Sequence, residues 1–356
     1  FLDVLSIILL FLDTIILNKM KETLNIFSTE IQESHVSNIY TKNYHALHTD
    51  YLELQRDWLH RAYSQFQDLD KYFILISLVN KTMTAYSDYM LSYTWDEYYK
   101  PKEVELKKFS IVDIAKELDI SKETARRKIL ELEKAGVLKK NKKSLTIQRD
   151  GFEFQKPSNS IKHISRLLSS FSKKLLENKI IKNHISTDEF ISLIKNNYTQ
   201  CWRYFLDFQI EFMTEFKKVF FKDYETFSIW ATIVYNQNLH FNNKIKGDKN
   251  YTKFLDSITD EGTRFSKDLL SLSGSFGLNA MTISDLTGVP RPTVIRKLRR
   301  LEREKFIIKN DLNLYSIHSG QKVSVEIEKM RFKNMQRIST MICKLLNTAR
   351  LNLKKS

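Results

Sequence analysis

The residues best able to do chemistry in this chain are Arg and Lys set at helical spacing, and the chemistry they suit is contact with nucleic acid. At 121–138 the chain reads SKETARRKILELEKAGVL, and at 290–307 it reads PRPTVIRKLRRLEREKFI. Guanidinium and ammonium groups reach phosphate oxygens and the acceptor edge of guanine, while glutamate accepts from cytosine. From Lys100 to Arg149 there are fifteen Lys and Arg against eight Asp and Glu, an excess of +7; from Arg291 to Lys309 there are eight against two, an excess of +6. Most of the net charge of +15 therefore sits on two short segments. Such clustering is the electrostatic footprint of phosphate binding.

Other chemistries lack their residues. The sequence contains no Gly-rich phosphate loop, no nucleophile elbow and no HExxH pattern, so nothing points to an enzyme or to a cofactor. His45 and His48 have helical spacing but no third ligand at zinc spacing, which predicts no metal site. Cys201 and Cys343 fall on predicted helices, without a disulfide framework, and suit a reducing cytoplasm.

Local elements must hold the basic groups in place. Ser121 stands where an N-cap belongs, and Pro290 with Pro292 fits the first positions of a helix. Ala125, Ile129 and Leu132 recur on one face of the first helix, as do Val294, Leu298 and Leu301 on the second, leaving Arg and Lys opposite. A shorter helix precedes each: Val112–Leu118 with the turn Asp119-Ile120, and Ile283–Thr287 with the turn Gly288-Val289. After each comes a predicted β-hairpin, Val137–Lys140 with Ser144–Ile147, and Phe306–Lys309 with Leu312–Ile317.

Helix, turn, basic helix and hairpin together resemble the bacterial winged helix-turn-helix of MarR-type regulators and of the cyclic-AMP receptor family. The likeness is densest at Ser121-Lys122-Glu123-Thr124-Ala125-Arg126-Arg127, which is similar to a Ser-Arg-Glu-Thr-Val-x-Arg pattern in the latter family. The resemblance implies that Lys122, Glu123 and Arg127 touch base edges, with Thr124 near a phosphate. In the second unit Arg291, Pro292 and Arg296 occupy the three base-reading places, so its readout must differ, because proline cannot accept from cytosine. The remaining candidates for phosphate contact are Arg126, Lys128, Lys140, Lys142 and Lys143, and in the second unit Thr293, Lys297, Arg299 and Arg300.

The similarity between the units extends outward. Thr293 follows Thr124 by 169 positions, as Arg296 follows Arg127 and Leu301 follows Leu132. Upstream, Leu52-Glu53-Leu54-Gln55 matches Leu206-Asp207-Phe208-Gln209, Asp57-Trp58 matches Glu211-Phe212, and Phe66 and Phe73 match Phe220 and Phe227, all 154 apart. The expected fold is mainly α: two winged helix-turn-helix units, each with a hairpin wing, in an internally duplicated helical scaffold. The expected boundaries are scaffold at 1–100, first winged unit at 101–154, trailing helix and second scaffold at 155–275, second winged unit at 276–318 and a C-terminal helix at 319–356. With 8 Gly and 4 Pro in 356 residues, strands are expected in the wings alone.

The tyrosine-rich run Tyr86–Tyr99, with Trp95, marks the aromatic helical region as the candidate place for a small-molecule effector, although such rings more often pack helices together. The opening FLDVLSIILLFLDTIIL is interrupted by Asp3 and Asp13, which predicts a packing helix rather than a membrane span. The resulting expectation is a cytoplasmic regulator bound to double-stranded DNA as a single-chain pseudo-dimer or a homodimer. A plasmid or phage replication initiator and a protein-interaction adaptor are the alternatives. If Arg127 and Arg296 read guanine, Arg127→Ala and Arg296→Ala each relax sequence preference at a different base position, at a cost of about 1–3 kcal/mol. Competition binding against random DNA measures this, and equal losses on both DNAs would make the two arginines phosphate contacts.

Overall fold

The computed structural model describes residues 30–141, 144–151, 156–246, 276–318 and 321–353; the apolar segment at the start of the chain lies outside these. In the first half, α1 (Glu33–Lys42) and α2 (Tyr44–Phe66) lead into α3 (Leu69–Asp88). Asp68 starts α3 by accepting from the Lys71 amide at 3.2 Å, after Gln67 turns the chain with a φ of 49°. A short α4 (Trp95–Tyr99), opened by a Thr94–Glu97 capping box, precedes β1 (Glu103–Glu105), α5 (Ile111–Glu117), α6 (Lys122–Lys134), β2 (Leu138–Lys140) and β3 (Leu145–Gln148). Then follow α7 (Ser158–Glu177), α8 (Thr187–Asn196), α9 (Tyr198–Val219) and α10 (Tyr224–Lys246). Past residue 275 come α11 (Ala280–Thr287), α12 (Arg291–Arg303), β4 (Ile307–Lys309), β5 (Tyr315–Ile317) and the long α13 (Gln321–Leu353).

The core is built from aromatic and aliphatic side chains along the long helices, and their partners are exchanged between the two halves. Helix α2 packs on α10, while α9 packs on α3. Helix α1 packs on α13, and α8 packs on α7. Single residues repeat the exchange: Tyr51 meets the edge of Phe212 with centroids 6.1 Å apart, and Trp58 meets Phe205 at 6.0 Å. Trp58, Tyr51 and Phe205 are 1% exposed or less. Each such aromatic pair adds about 0.5–1.5 kcal/mol beyond its area burial.

The hairpins form where the sequence puts them, with one addition. β2 and β3 pair antiparallel, Leu138 opposite Ile147, and β1 adds to the other edge of β3 with Val104 opposite Ile147. This third strand was not expected, since Glu103-Val104-Glu105 is too short to show alternation. In the second half β4 pairs β5, and Leu278 takes the place beside β5 through a two-way backbone bridge with Tyr315, at 3.0 and 2.8 Å. Gly277 allows that approach, because a Cβ there would lie 2.6 Å from the Leu314 Cβ.

One detail of the sequence alignment needs correction. The spacing of 154 holds to Phe66 and Phe220, both at helix ends, but the second turn carries two left-handed residues, Phe221 and Lys222, where the first carries Gln67 alone. The helix-starting aspartates Asp68 and Asp223 are therefore 155 apart, and Phe73 and Phe227 are one position out of step.

Left-handed backbone follows α5 and α6, and also α11 and α12. Gly136 ends α6 with a φ of 73°, and Lys305 does the same after α12 with 59°; Gly288 has 73° after α11, and Asp119 has 49° after α5. A Cβ is strained in that region by about 1–2 kcal/mol. Lys305 is exposed, so Lys305→Gly should remove strain and little else, raising stability by about 0.5–1 kcal/mol. Denaturant melts of the two proteins check this.

Candidate nucleic-acid interface

The basic helices take up the geometry that their capping and apolar faces dictate. The Ser121 Oγ accepts from the Thr124 amide at 3.0 Å and sets the start of α6. Ala125, Ile129 and Leu132 are buried beneath α6, and Val294, Leu298 and Leu301 beneath α12. The opposite face of α6 leaves Lys122, Glu123, Arg126 and Arg127 exposed, and that of α12 leaves Arg291, Arg296, Arg299 and Arg300 exposed. Each set thus lies on one outward helix surface, the arrangement that major-groove reading requires. Thr124 and Thr293 are half-buried, and the Thr124 hydroxyl lies 2.8 Å from that of Ser121. Arg300 lies over the Phe221 ring at 4.0 Å.

Lys128 and Lys297 are not where a phosphate contact would need them. The Lys128 ammonium donates to the Asp68 carboxylate and sits 3.3 Å from Glu131, with its side chain 12% exposed. Lys297 donates to the Asp223 carboxylate and sits 3.6 Å from Glu225, with its side chain 8% exposed. The reason is the helical period: both lysines lie one residue before an inward position, beside Ile129 and Leu298, and so turn toward the scaffold. They anchor α6 to the start of α3 and α12 to the start of α10. Sequence reasoning missed the aspartates because they lie 60 and 74 residues before the lysines they hold; an Asp at a helix start was the one local signal.

Burial would depress the Lys128 pKa, yet Asp68 and Glu131 outweigh it and raise it. At the second anchor two carboxylates share one ammonium. Burial works against the Asp223 charge, but hydrogen bonds from the Glu225 carboxyl and Lys297 hold Asp223 well below the usual carboxylate range. Burial and the hydrogen-bonded Asp223 push Glu225 the other way, above its ordinary value.

On the first hairpin, Lys139 and Lys140 of β2 are exposed. Lys142 and Lys143 lie outside the described residues. The second hairpin offers Lys309, beside Asp311 and the 77%-exposed Leu312.

The other expected features resolve as packing. His48 is buried, with the Tyr40 hydroxyl 2.8 Å from Nδ1 and the Tyr44 hydroxyl 3.1 Å from Nε2. Burial pushes the Cys201 thiol up to about 12 and that of Cys343 to about 11, and both are free. In the aromatic run, Trp95 meets Tyr198 edge-on, Tyr98 and Tyr99 meet it at tilted angles, and the Arg149 guanidinium covers Tyr98 and Tyr99 at 4.6 and 4.5 Å. A cavity of about 330 Å³ lies elsewhere, lined by polar residues of α3, α5, α9 and α13. Among the described residues no helix is long and apolar enough to cross a membrane.

Residues 105–148 match the DeoR-like helix-turn-helix domain. That stretch runs from the last residue of β1 through α5 and α6 to the end of β3, so the match and the observed elements coincide. It differs from the MarR-type and cyclic-AMP-receptor resemblance read from the sequence; what the two have in common is the helix-turn-helix, and it supports a DNA-binding transcriptional regulator. No curated protein and no solved structure matches the chain.

The anchors generate a test. Because folded Glu225 holds its proton more tightly than the unfolded chain, the folded state binds more protons from about pH 4.3 upward toward neutrality, and stability falls as pH rises through that window. Glu225→Gln removes this loss, so the variant should gain on the parent protein between pH 5 and pH 8 in denaturant melts. Lys297→Met strands Asp223 and should cost about 3 kcal/mol at pH 8, with Asp223→Asn restoring part of it.

Proposed function

We propose that the chain is a sequence-specific transcriptional regulator working as a single-chain pseudo-dimer. In this reading residues 101–154 and 276–318 are two winged helix-turn-helix units, brought by internal duplication into one chain, that place α6 and α12 in adjacent major grooves. The observation that carries it is the exchange of partners in the core. In a two-fold interface, when residue i meets residue j of the partner, j also meets i. Tyr51 with Phe212 and Trp58 with Phe205 obey that rule at a spacing of 154, as the helix pairs α2–α10 and α9–α3 do. Supporting it are the two lysine–aspartate anchors and the left-handed positions that recur 169 residues apart.

The two DNA-facing surfaces have drifted. Lys122-Glu123 stands opposite Arg291-Pro292, and a hairpin with exposed Lys139 and Lys140 stands opposite one with Lys309 and Asp311. The operator that fits is asymmetric, with half-sites of different sequence. Base contact is assigned to Lys122, Glu123, Arg127, Arg291 and Arg296, and phosphate contact to Thr124, Arg126, Lys140, Thr293, Arg299 and Arg300. A DNA partner fits a cytoplasmic location, and no catalytic role is proposed.

Footprinting combined with light scattering of the complex tests the reading. One chain should protect two adjacent major grooves on one face of the DNA. A dimer of chains on a perfect palindrome, touched through one unit per chain, would end the pseudo-dimer. Selection of repeated short origin sequences would favour a replication initiator, and absence of DNA binding at low salt would favour a protein-interaction adaptor.

A further inference from the structure

Lys217 is a buried cation that the outward faces of the basic helices do not use. It lies in the last turn of α9, is 2% exposed, donates to the Asp70 carboxylate at 2.8 Å and sits over the Tyr224 ring, 4.3 Å from its centroid. Asp70 is in the first turn of α3, two residues after the Asp68 that holds Lys128 of α6. Tyr224 opens α10, directly after the Asp223 that holds Lys297 of α12, and its ring stacks on Phe73 of α3 with centroids 4.3 Å apart. Lys128–Asp68, Asp70–Lys217 and Asp223–Lys297 thus form a series of ion pairs that runs from one basic helix to the other. A buried ammonium keeps its carboxylate in one place, because separating the two strands a charge out of water.

The turn between α9 and α10 adds a second tie. Phe221 and Lys222 both have left-handed backbone, with φ of 61° and 60°. Residues with a Cβ avoid that region, bulky ones above all, and such strain persists only where the surroundings fix it. Here they do so from two sides. Phe221 meets the edge of Phe306, with centroids 5.6 Å apart, and lies under the Arg300 guanidinium at 4.0 Å. Lys222 reaches the other way, to Asp119 at 3.3 Å, in the turn between α5 and α6. Adjacent residues of one turn therefore touch the α5–α6 unit and the α12 unit.

We propose that Lys217, Phe221 and Lys222 are positioning residues that fix the distance and angle between α6 and α12, so that the chain accepts DNA half-sites at one spacing only. One base pair inserted between half-sites moves them apart by about 3.4 Å and turns them by about 35° around the DNA axis. A flexible joint between two units follows that change, whereas helices tied through buried ion pairs and a strained turn do not. That α12 reads DNA rests on the function proposed above; the fixed separation of the two helices does not.

Spin labels on Lys122→Cys and Arg291→Cys, in the full chain with Cys343→Ser, report the distance between the helices without DNA. One narrow distance is expected. Phe221→Gly combined with Lys222→Gly keeps a turn that glycine forms without strain but removes both of its ties, and should broaden the distribution in a folded chain. Lys217→Met should broaden it as well, and Lys217→Arg should keep it narrow. On DNA selected by the parent protein, one inserted base pair between half-sites should weaken binding about tenfold or more, whereas the double-glycine variant should tolerate it with each half-site sequence unchanged. A broad distance in the parent, or one that the double-glycine exchange leaves narrow, overturns the proposal. So does equal tolerance of the inserted base pair by parent and variant. A narrow distance that broadens as expected, in a chain whose selected DNA holds a single half-site, leaves the tie standing and overturns the DNA reading of α12.

Discussion

The arrangement of this protein depends on an ammonium group turned inward from each basic helix. In α6 and again in α12, a lysine that looks from sequence like a DNA contact is taken by the aspartate that starts a scaffold helix. Each aspartate thereby does two jobs, since its carboxylate also caps its own helix through backbone amides. Cap and ion pair lock together, so the outward face of the basic helix has a fixed orientation relative to the scaffold. Removing the lysine leaves a carboxylate half out of water, which is why such pairs are costly to break even where they add little net stability. On the proposed function, orientation is what the basic helices require, because base edges are read through directional hydrogen bonds.

Much of this was legible in the sequence, and the parts that were not share a cause. The helix pairs, the Ser121 cap, the apolar stripes and both hairpins follow from period and local chemistry, which a single sequence displays. Strand β1 escaped notice because three residues cannot show a period. Lys128 and Lys297 were misread because basic type is visible while rotation about the helix axis is decided by a partner distant in sequence. The Tyr86–Tyr99 run was ambiguous from the start: aromatic content signals burial, and only packing decides between a core and a pocket. The exposed Lys122, Glu123, Arg127, Arg291 and Arg296 lie where the pattern placed them, on the outward surfaces.

On the proposed duplication the two halves share a plan but differ in chemistry, and the differences fall in particular places. Left-handed turn positions are kept while the residue in them changes from Gly136 to Lys305 and from Asp119 to Gly288. Backbone geometry at a turn is set by the elements on either side, so an unfavourable residue is tolerated for about 1 kcal/mol. The second anchor has two carboxylates around one ammonium and carries a pH dependence of its own.

The partner exchange bears on how such a chain reaches its fold during synthesis. The backbone of Ile31 is held at both its N–H and its C=O by the side chain of Asn347, at 3.0 and 2.9 Å, across 316 positions of sequence. Helices α2 and α3 likewise pack on α10 and α9, which leave the ribosome more than a hundred residues later. At roughly 5–20 residues per second, the apolar faces of the early helices wait for many seconds before their counterparts emerge. During that interval the nascent chain is a sticky half-molecule whose nearest complementary surface belongs to another nascent copy. On the proposed duplication, the wrong pairing, first half with first half on neighbouring ribosomes, offers contacts of the same kind as the right one. On that reading the hazard during synthesis is a swapped assembly, held off by the high effective concentration of a tethered partner.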